Sequence, residues 1–242
     1  MPVGAPSPAP RRRSVFASRL VSTHAEGTPP RVIDDMRRAI LSGEEPPGTL
    51  IPIDEVARFF GVSPIPVREA LKVLLGEGLV EHTPRVGYAV AKLTFAEFRE
   101  LYDVRAALES AALRAAVGNA GPADDERVLT AHEGLARALA AGDERAYHEQ
   151  SRLFHDALIA PAGMRRLVHM YRSAWNITEP ARPMARVEHD GRHAFYDDHD
   201  RMLAAFVARD ADTLVAESLA HYRHLTDALE GFADDLDVFL PG

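Results

Sequence analysis

The stretch Asp54–Ala91 constrains the fold most, because signals for two helices and a hairpin follow one another within it. Apolar residues at helical spacing run up to Gly61, and glycine is typical of the position that ends a helix. Ser63 then offers an N-cap to a second helix that begins at Pro64. The pattern predicts a helix, a tight turn and a second helix.

The second helix is predicted to bury one apolar stripe, formed by Val67, Leu71, Leu74 and Leu75. Two β-prone runs follow it, Leu79–His82 and Val86–Ala91, and the three residues between them allow only a hairpin. Together these elements predict a helix-turn-helix closed by a β-wing.

Such a unit suits DNA, because an α-helix fits the major groove, where base edges differ chemically. Arg68 is the best candidate for reading a base or holding a phosphate. The other predicted DNA-binding residues lie at the start of the same helix, on its surface and on the wing: Ser63, Ile65, Lys72, His82 and Arg85. The alternative interpretation is a pair of helices within an ordinary helical core.

The run GVSPIPVREALKVLLGEGLVEHTPRVGYAV resembles the winged-helix domain of the GntR family of bacterial transcription regulators, over residues 30–91. The family usually has Arg after the Ser, where this chain has Pro64, and some members have another DNA-contacting Arg where Asp54 stands. Pro64 and Pro66 also leave Ile65 as the only nearby amide for the Ser63 cap. The preferred half-site should therefore differ from the family's usual one, with weaker non-specific affinity as a further hypothesis.

Composition and charge divide the chain into three parts. Residues 1–29 are rich in Pro, Ser and Ala, include Arg11–Arg13, and are predicted to form a disordered arm. Net charge is +2 over residues 1–92 and −10 over residues 93–242, so the acidity belongs to the second domain. The absence of cysteine, of a membrane-spanning run and of a secretory signal favours a cytoplasmic protein.

The second domain is predicted to contain only helices, after a capping box formed by Thr94 and Glu97. Six spans are separated by glycine- or proline-containing breaks or by Asp210: residues 94–118, 123–141, 143–160, 163–179, 190–208 and 210–232. The predicted fold is mainly α, with a disordered arm at 1–29, a winged helix-turn-helix of three helices and a β-hairpin at 30–92, and a bundle of about six helices at 93–242.

Several polar residues lie on apolar stripes of this bundle and should point inward. Arg105 is one of them, and a buried guanidinium needs an anionic partner, which is either Glu109 or another acid of the core, or an anionic ligand. His155, His199 and His221 lie on stripes of three different helices and face one interior. Each alone would be read as a hydrogen-bonded core histidine, whereas three together suit a divalent metal such as Zn, Ni or Mn; spacing alone leaves both interpretations open.

The segments YDVRAALESAALRAA, LFHDAL, DHDRMLAAFVARD and ESLAHYRHL resemble the FCD ligand-binding domain of FadR-type GntR regulators. The resemblance implies that His155, His199 and His221 are metal ligands and that the fourth position, usually a carboxylate, is Ser151. A hydroxyl is a poorer ligand, so either water completes the metal's coordination, affinity falls, or the site binds an organic ligand without metal. The effectors of the family are typically small organic acids. Arg105 is the main candidate for binding such an acid, with Tyr102, Arg172, Trp175 and Asn176 as weaker candidates.

The leading hypothesis is a homodimeric transcription regulator that binds a pseudo-palindromic double-stranded operator. A small carboxylate, bound with or without a divalent metal, would control its DNA affinity, and the resemblance favours a repressor. The alternatives are a metal-sensing regulator without an organic effector and a metal-dependent hydrolase. The chain has no HExxH or G-x-S-x-G motif and no clear general base beside the histidines, which disfavours an enzyme.

Overall fold

The computed structural model describes residues 15–21, 32–43, 45–183, 187, 189–235 and 237–241. The chain forms two compact units, Met1–Ala91 and Lys92–Gly242. The boundary lies one residue before the predicted one, and each unit has its own apolar core.

The first unit is a winged helix-turn-helix. Its described elements are α1 (Val15–Arg19), α2 (Val32–Leu41), α3 (Ile53–Phe60), α4 (Pro64–Gly76), β1 (Val80–Thr83) and β2 (Gly87–Val90). Gly61 ends α3 in the left-handed conformation, with φ 66°, as its position predicted. Strands β1 and β2 pair antiparallel, with His82 opposite Tyr88. The winged fold predicted for this stretch is confirmed.

The core of the first unit lies between its helices and the wing. Val67, Leu71 and Leu74 of α4 are fully buried, but Leu75 is 42% exposed, so its predicted place in the buried stripe is wrong. Successive helical residues are about 100° apart around the axis, and Leu75 falls beyond the edge of the buried face. The segment before α3 extends the wing, since Ile51 N donates to Tyr88 O at 2.8 Å.

The predicted disordered arm at 1–29 is wrong for the part of it that is described. Residues Val15–Arg19 form α1, and Phe16 and Leu20 are buried in the core of the first unit. These two apolar residues are four positions apart and so share one helix face, a local signal that the surrounding Pro- and Ser-rich composition concealed. The remainder of the predicted arm lies outside the described residues.

The second unit is an α-helical bundle, as predicted. Its α-helices are α5 (Phe95–Asn119), α6 (Pro122–Ala141), α7 (Glu144–Ile159), α8 (Arg165–Thr178), α9 (His189–Val207) and α10 (Ala211–Glu230). Each end lies within two residues of the predicted one. The capping box at the start of α5 is present, with Thr94 Oγ1 accepting from Glu97 N at 3.2 Å and Thr94 N donating to Glu97 Oε2 at 2.8 Å.

The C-terminal residues pack against the start of the bundle, which the sequence pattern did not predict. Leu240 N donates to Leu93 O at 2.8 Å, and Val238 and Phe239 are buried. The ring of Phe239 meets that of Phe98 edge-on at a centroid distance of 5.3 Å. Within the described part of the chain, no helix combines the length and the apolar character needed to cross a membrane.

Candidate functional sites

The first site is the exposed surface of α4 and the wing. All six predicted DNA-binding residues are exposed there: Ser63, Ile65, Arg68, Lys72, His82 and Arg85. Arg68 and His82 line one cleft of about 690 Å³, together with Tyr88. Lys72 lies elsewhere on α4 and donates to Glu69 Oε1 at 2.8 Å, so it must give up that ion pair to bind a phosphate.

Ser63 holds the N-cap position of α4, but its side chain makes no capping hydrogen bond. The predicted hydrogen bond from the Ile65 amide to the Ser63 side chain is therefore wrong. A cap side chain normally accepts from the second or third helical amide, and the third position is Pro66, which has none. Only one of the two usual donors remains, and the exposed hydroxyl stays available to an external partner.

Arg58 is a cationic residue of this surface that the sequence interpretation missed. It is exposed on α3 and lines the same cleft as Arg68 and His82. It also lines a second cleft of about 210 Å³ with Ala17 and Ser18 of α1. Helical periodicity could have predicted that Arg58 is exposed. It comes directly after Val56 and Ala57, which form the buried face of α3, and so lies beyond that face.

The second site is a buried cluster of histidines in the helical unit. Among the described residues, His155 of α7, His199 of α9 and His221 of α10 form a group in which one ring nitrogen from each lies within 4.8 Å of the others. Their exposures are 1%, 1% and 4%. The structure thus brings together the three histidines that the sequence singled out, from three different helices.

Two buried carboxylates orient two of these histidines, and the sequence interpretation assigned neither carboxylate to this role. Glu109 Oε1 of α5 lies 2.6 Å from His155 Nδ1, and Asp198 Oδ2 of α9 lies 3.2 Å from His221 Nδ1. An ionised carboxylate can only accept, so Nδ1 of each ring is assigned as the donor, and a neutral ring then has its lone pair on Nε2. The sequence contained a signal for Glu109, because it lies one helical turn after the inward-pointing Arg105 and so shares its helix face.

The charges of this cluster follow from burial and from these contacts. Burial lowers the pKa of His199 well below its usual value, and the neighbouring His221 and His155 lower it further. Burial also lowers the pKa of His221, although its hydrogen bond to Asp198 opposes the change. Burial alone would raise the pKa of Glu109, but the positive charge that His155 carries when protonated, together with its hydrogen bond, brings it below its usual value. Neutral imidazoles with free Nε2 atoms are the form that binds a metal.

Ser151 lies in the same cluster, one helical turn before His155. Its Oγ is 3.4 Å from His199 Nε2, and the residue is 8% exposed. The hydroxyl therefore lies beside the histidines, and its role as a fourth ligand stays a prediction. A neutral hydroxyl supplies no charge to a divalent cation, which leaves the nitrogens as the principal donors of this set.

Arg105 is buried beside the histidine cluster, within a group of aromatic rings. Its guanidinium carbon lies 3.6 Å from the ring centre of Trp175 and 4.5 Å from that of Tyr102. Arg105 Nη1 is 3.4 Å from Thr178 Oγ1, and its Nε has no hydrogen-bond partner among the described residues. Three predicted effector-binding residues, Arg105, Tyr102 and Trp175, are thus adjacent.

The other two predicted effector-binding residues are not brought into this interior group. Arg172 has an exposed side chain, and its Nε donates to Asp156 Oδ1 at 3.0 Å. Asn176 is partly buried, and its Oδ1 accepts from Arg152 at 2.5 Å. On α8 the inward positions belong instead to Tyr171 and Trp175, because residues four apart share a helix face.

Comparison with known proteins agrees with both units. The model of bacterial regulatory proteins of the gntR family matches residues 30–90, and that of the FCD domain matches residues 100–224. The chain is 26% identical over 220 residues to the gluconate operon transcriptional repressor of Bacillus licheniformis, covering 85% of each protein. It is 32% identical over 146 residues to a probable D-xylose utilization operon transcriptional repressor of Paenarthrobacter nicotinovorans, covering 60% of this chain and 62% of that protein.

Solved structures show the same fold. E. coli McbR/YncC superposes with a TM-score of 0.74 at 23% identity, covering 83% of this chain and 96% of that one. A putative GntR regulator from Rhodococcus sp. RHA1 gives a TM-score of 0.64 at 24% identity, covering 85% of this chain and 95% of that one.

The matching families and relatives are transcription regulators and not enzymes. The chain is therefore a DNA-binding transcription regulator that belongs to the gntR family and has an FCD domain as its second unit.

Proposed function

We propose that this regulator is a repressor whose DNA affinity is controlled by a small organic acid bound in the helical unit, through a divalent metal held by His155, His199 and His221. The observation that carries the proposal is the convergence of the three buried imidazoles. The repressor assignment rests on similarity to repressors of sugar-acid and sugar operons.

The residues present fit a divalent cation such as Zn²⁺, Ni²⁺ or Mn²⁺. Hydrogen bonds to Glu109 and Asp198 turn the Nε2 atoms of His155 and His221 away from these carboxylates, and His199 Nε2 faces Ser151. Carboxylates that hold the second ring nitrogen of a ligand histidine are typical of metal sites. When bound, the metal would offer an open coordination position to a carboxylate oxygen.

Arg105 would hold the remaining charge of the acid. Its guanidinium is rigid because it stacks on Trp175, and its Nε, which has no hydrogen-bond partner in the described part of the chain, keeps a donor available. Glu109 supports both groups, since it accepts from His155 and its charge acts on Arg105. An acid bound here would therefore contact elements from four helices of the bundle.

Control of DNA binding requires that the acid binds one arrangement of the protein better than another, because a ligand shifts an equilibrium only by its differential affinity. We infer that a homodimer presents two winged units to a pseudo-palindromic operator, since two-fold protein symmetry is matched by two-fold DNA symmetry. The acid would favour an arrangement that does not match the operator spacing.

A metal-sensing regulator without an organic effector is the second candidate. It is favoured by the engagement of Arg105 with Trp175, Tyr102 and Thr178, which already surround its guanidinium.

The test is fluorescence anisotropy of the full chain on DNA from upstream of its own gene and on a scrambled duplex, at one fixed salt concentration. Zn²⁺, Ni²⁺ and Mn²⁺ are added one at a time, each with and without gluconate, citrate or lactate. We expect the protein to bind the upstream DNA more tightly than the scrambled duplex, and to lose affinity for the upstream DNA when an acid is added in the presence of metal.

The variant for this test is His199→Ala, and the matched control is His169→Ala, a histidine of α8 outside the cluster. His199→Ala should abolish the response to the acid and lower metal affinity by more than about 100-fold, above the range typical of outer-sphere residues. A response to metal alone would support the second candidate. Metal affinity equal in His199→Ala and His169→Ala would contradict both.

A further inference from the structure

The cationic side chains of the first unit fall into two groups. Over the described residues 32–43 and 45–91, three are held by carboxylates of the same unit: Arg37 by Glu77 at 2.7 Å, Arg38 by Asp35 at 2.8 Å and Lys72 by Glu69 at 2.8 Å. The other three, within the same ranges, have no ion pair or side-chain hydrogen bond: Arg58, Arg68 and Arg85. An unpaired guanidinium keeps all its donors available for an external anion.

Two of these unpaired cations line the same cleft. Arg58 comes from α3 and Arg68 from α4, and wing residues that include His82 and Tyr88 also line the cleft. Both arginines are exposed. Asp54 and Glu55 also line the cleft, and among the described residues neither guanidinium forms an ion pair with either carboxylate. The cleft therefore offers two unpaired guanidinium groups to an external anion, with the carboxylates of Asp54 and Glu55 beside them.

We propose that Arg58 binds a DNA backbone phosphate in this cleft, next to the contact made by Arg68. In a helix-turn-helix the second helix enters the major groove while the first crosses the backbone, and Arg58 lies on the first. Its exposure and its place beside the wing put it at the edge of the groove that α4 enters. Arg58 is thus a positioning contact, which sets the register of the protein on DNA without reading sequence.

A substitution at Asp54 tests the proposal through a gain in DNA affinity, the opposite of the change expected at Arg58. A carboxylate in the same cleft repels a phosphate, so removing its charge should strengthen any contact that Arg58 makes there. A general loss of folding cannot produce this gain. The proposal requires only DNA binding and is independent of the metal and of the acid proposed for the helical unit.

The experiment measures the affinity of the full chain for a random-sequence duplex by fluorescence anisotropy over a series of salt concentrations. Arg58→Ala should bind roughly tenfold more weakly, and the slope of log affinity against log salt should become less steep by about 0.9, the value for one phosphate contact. Asp54→Asn should bind more tightly on the same duplex. Arg137→Ala, which removes an exposed charge from α6, is the matched control and should leave both quantities unchanged.

The competing roles of Arg58 give different results. An unchanged salt slope in Arg58→Ala would overturn the proposal. So would a change in preference between two duplex sequences, because that would mark Arg58 as a base-reading residue. Weaker binding in both Arg58→Ala and Asp54→Asn, with a shifted thermal unfolding curve, would show that the effect comes from folding and would also overturn it.

Discussion

The two units of this protein place their functional side chains in opposite environments. In the winged unit, Arg58, Arg68 and His82 are exposed on one cleft. In the helical unit, His155 and His199 are buried and are contacted by other buried polar groups. An exposed cation can be removed with little effect on folding, whereas a buried polar group removed from its partner leaves that partner unsatisfied.

This difference predicts that DNA recognition and stability can be changed separately in the first unit, while ligand binding and stability are coupled in the second. The single tryptophan of the chain, Trp175, lies in the helical unit. Its fluorescence therefore follows the unfolding of that unit, and far-UV circular dichroism follows both.

The largest expected effect is on the stability of the winged unit. Phe16→Ala removes a fully buried ring that lies outside the helix-turn-helix motif, and it should lower the free energy of unfolding by about 3 kcal/mol. Urea unfolding should show an earlier circular dichroism transition and an unchanged Trp175 transition. Val21→Ala, at a residue that is 68% exposed, is the control. Equal stability of the two variants would show that α1 contributes nothing to the fold.

Removal of Arg68 tests whether the surface site is separable from folding. Arg68→Ala should cost about 1–3 kcal/mol of discrimination between upstream and scrambled DNA, because it removes the predicted base contact. Thermal unfolding should not change, since the side chain is exposed and unpaired. Anisotropy on both duplexes measures the discrimination, and a lowered unfolding temperature would break the proposed separation.

Asp198 tests the coupling in the helical unit. Asp198→Asn keeps the shape of the side chain but weakens its hold on His221 Nδ1, so Zn²⁺ affinity should fall by about 10- to 100-fold. Titration calorimetry measures this change. Asp197→Asn makes the same change of charge at the neighbouring exposed position and should have no such effect. Equal affinities in the two variants would remove Asp198 from the site.

The smallest expected effect is a gain. Ser151→Asp places a carboxylate beside His199 Nε2 and should tighten Zn²⁺ binding by about tenfold, because a charged oxygen is a better ligand than a hydroxyl. Ser173→Asp on α8 adds the same charge outside the cluster and serves as the comparison. Unchanged affinity in Ser151→Asp would contradict the assignment of this position to the metal's surroundings.

Much of the fold was predictable because its signals are local. Apolar periodicity and glycine or proline stops located the six bundle helices to within two residues, and Gly61 ended α3 as predicted. The errors came from features that local pattern does not determine. Phe16 and Leu20 are buried although their surroundings are Pro-rich, and Leu75 is exposed although its spacing suggested the core.

The candidate sites were predictable to different extents for the same reason. His155, His199 and His221 were identified by stripe position and resemblance, and the structure brings them together. Arg172 was also proposed for the interior but pairs with Asp156 on the surface. Glu109 was considered only as an ion-pair partner of Arg105, one turn away within α5, whereas in the structure its carboxylate accepts a hydrogen bond from His155.

The sequence by itself determined the helices, the wing and the residue types available for DNA and metal, because these depend on the spacing of neighbouring residues. Only the tertiary structure decided which donors are free. Whether Arg58 is unpaired, whether Ser63 caps its helix and which nitrogen of His155 faces the cluster all depend on atoms that neighbouring elements supply. Hydrogen bonds and ion pairs form over a few ångströms of space, and the packing of helices far apart in the sequence sets those distances.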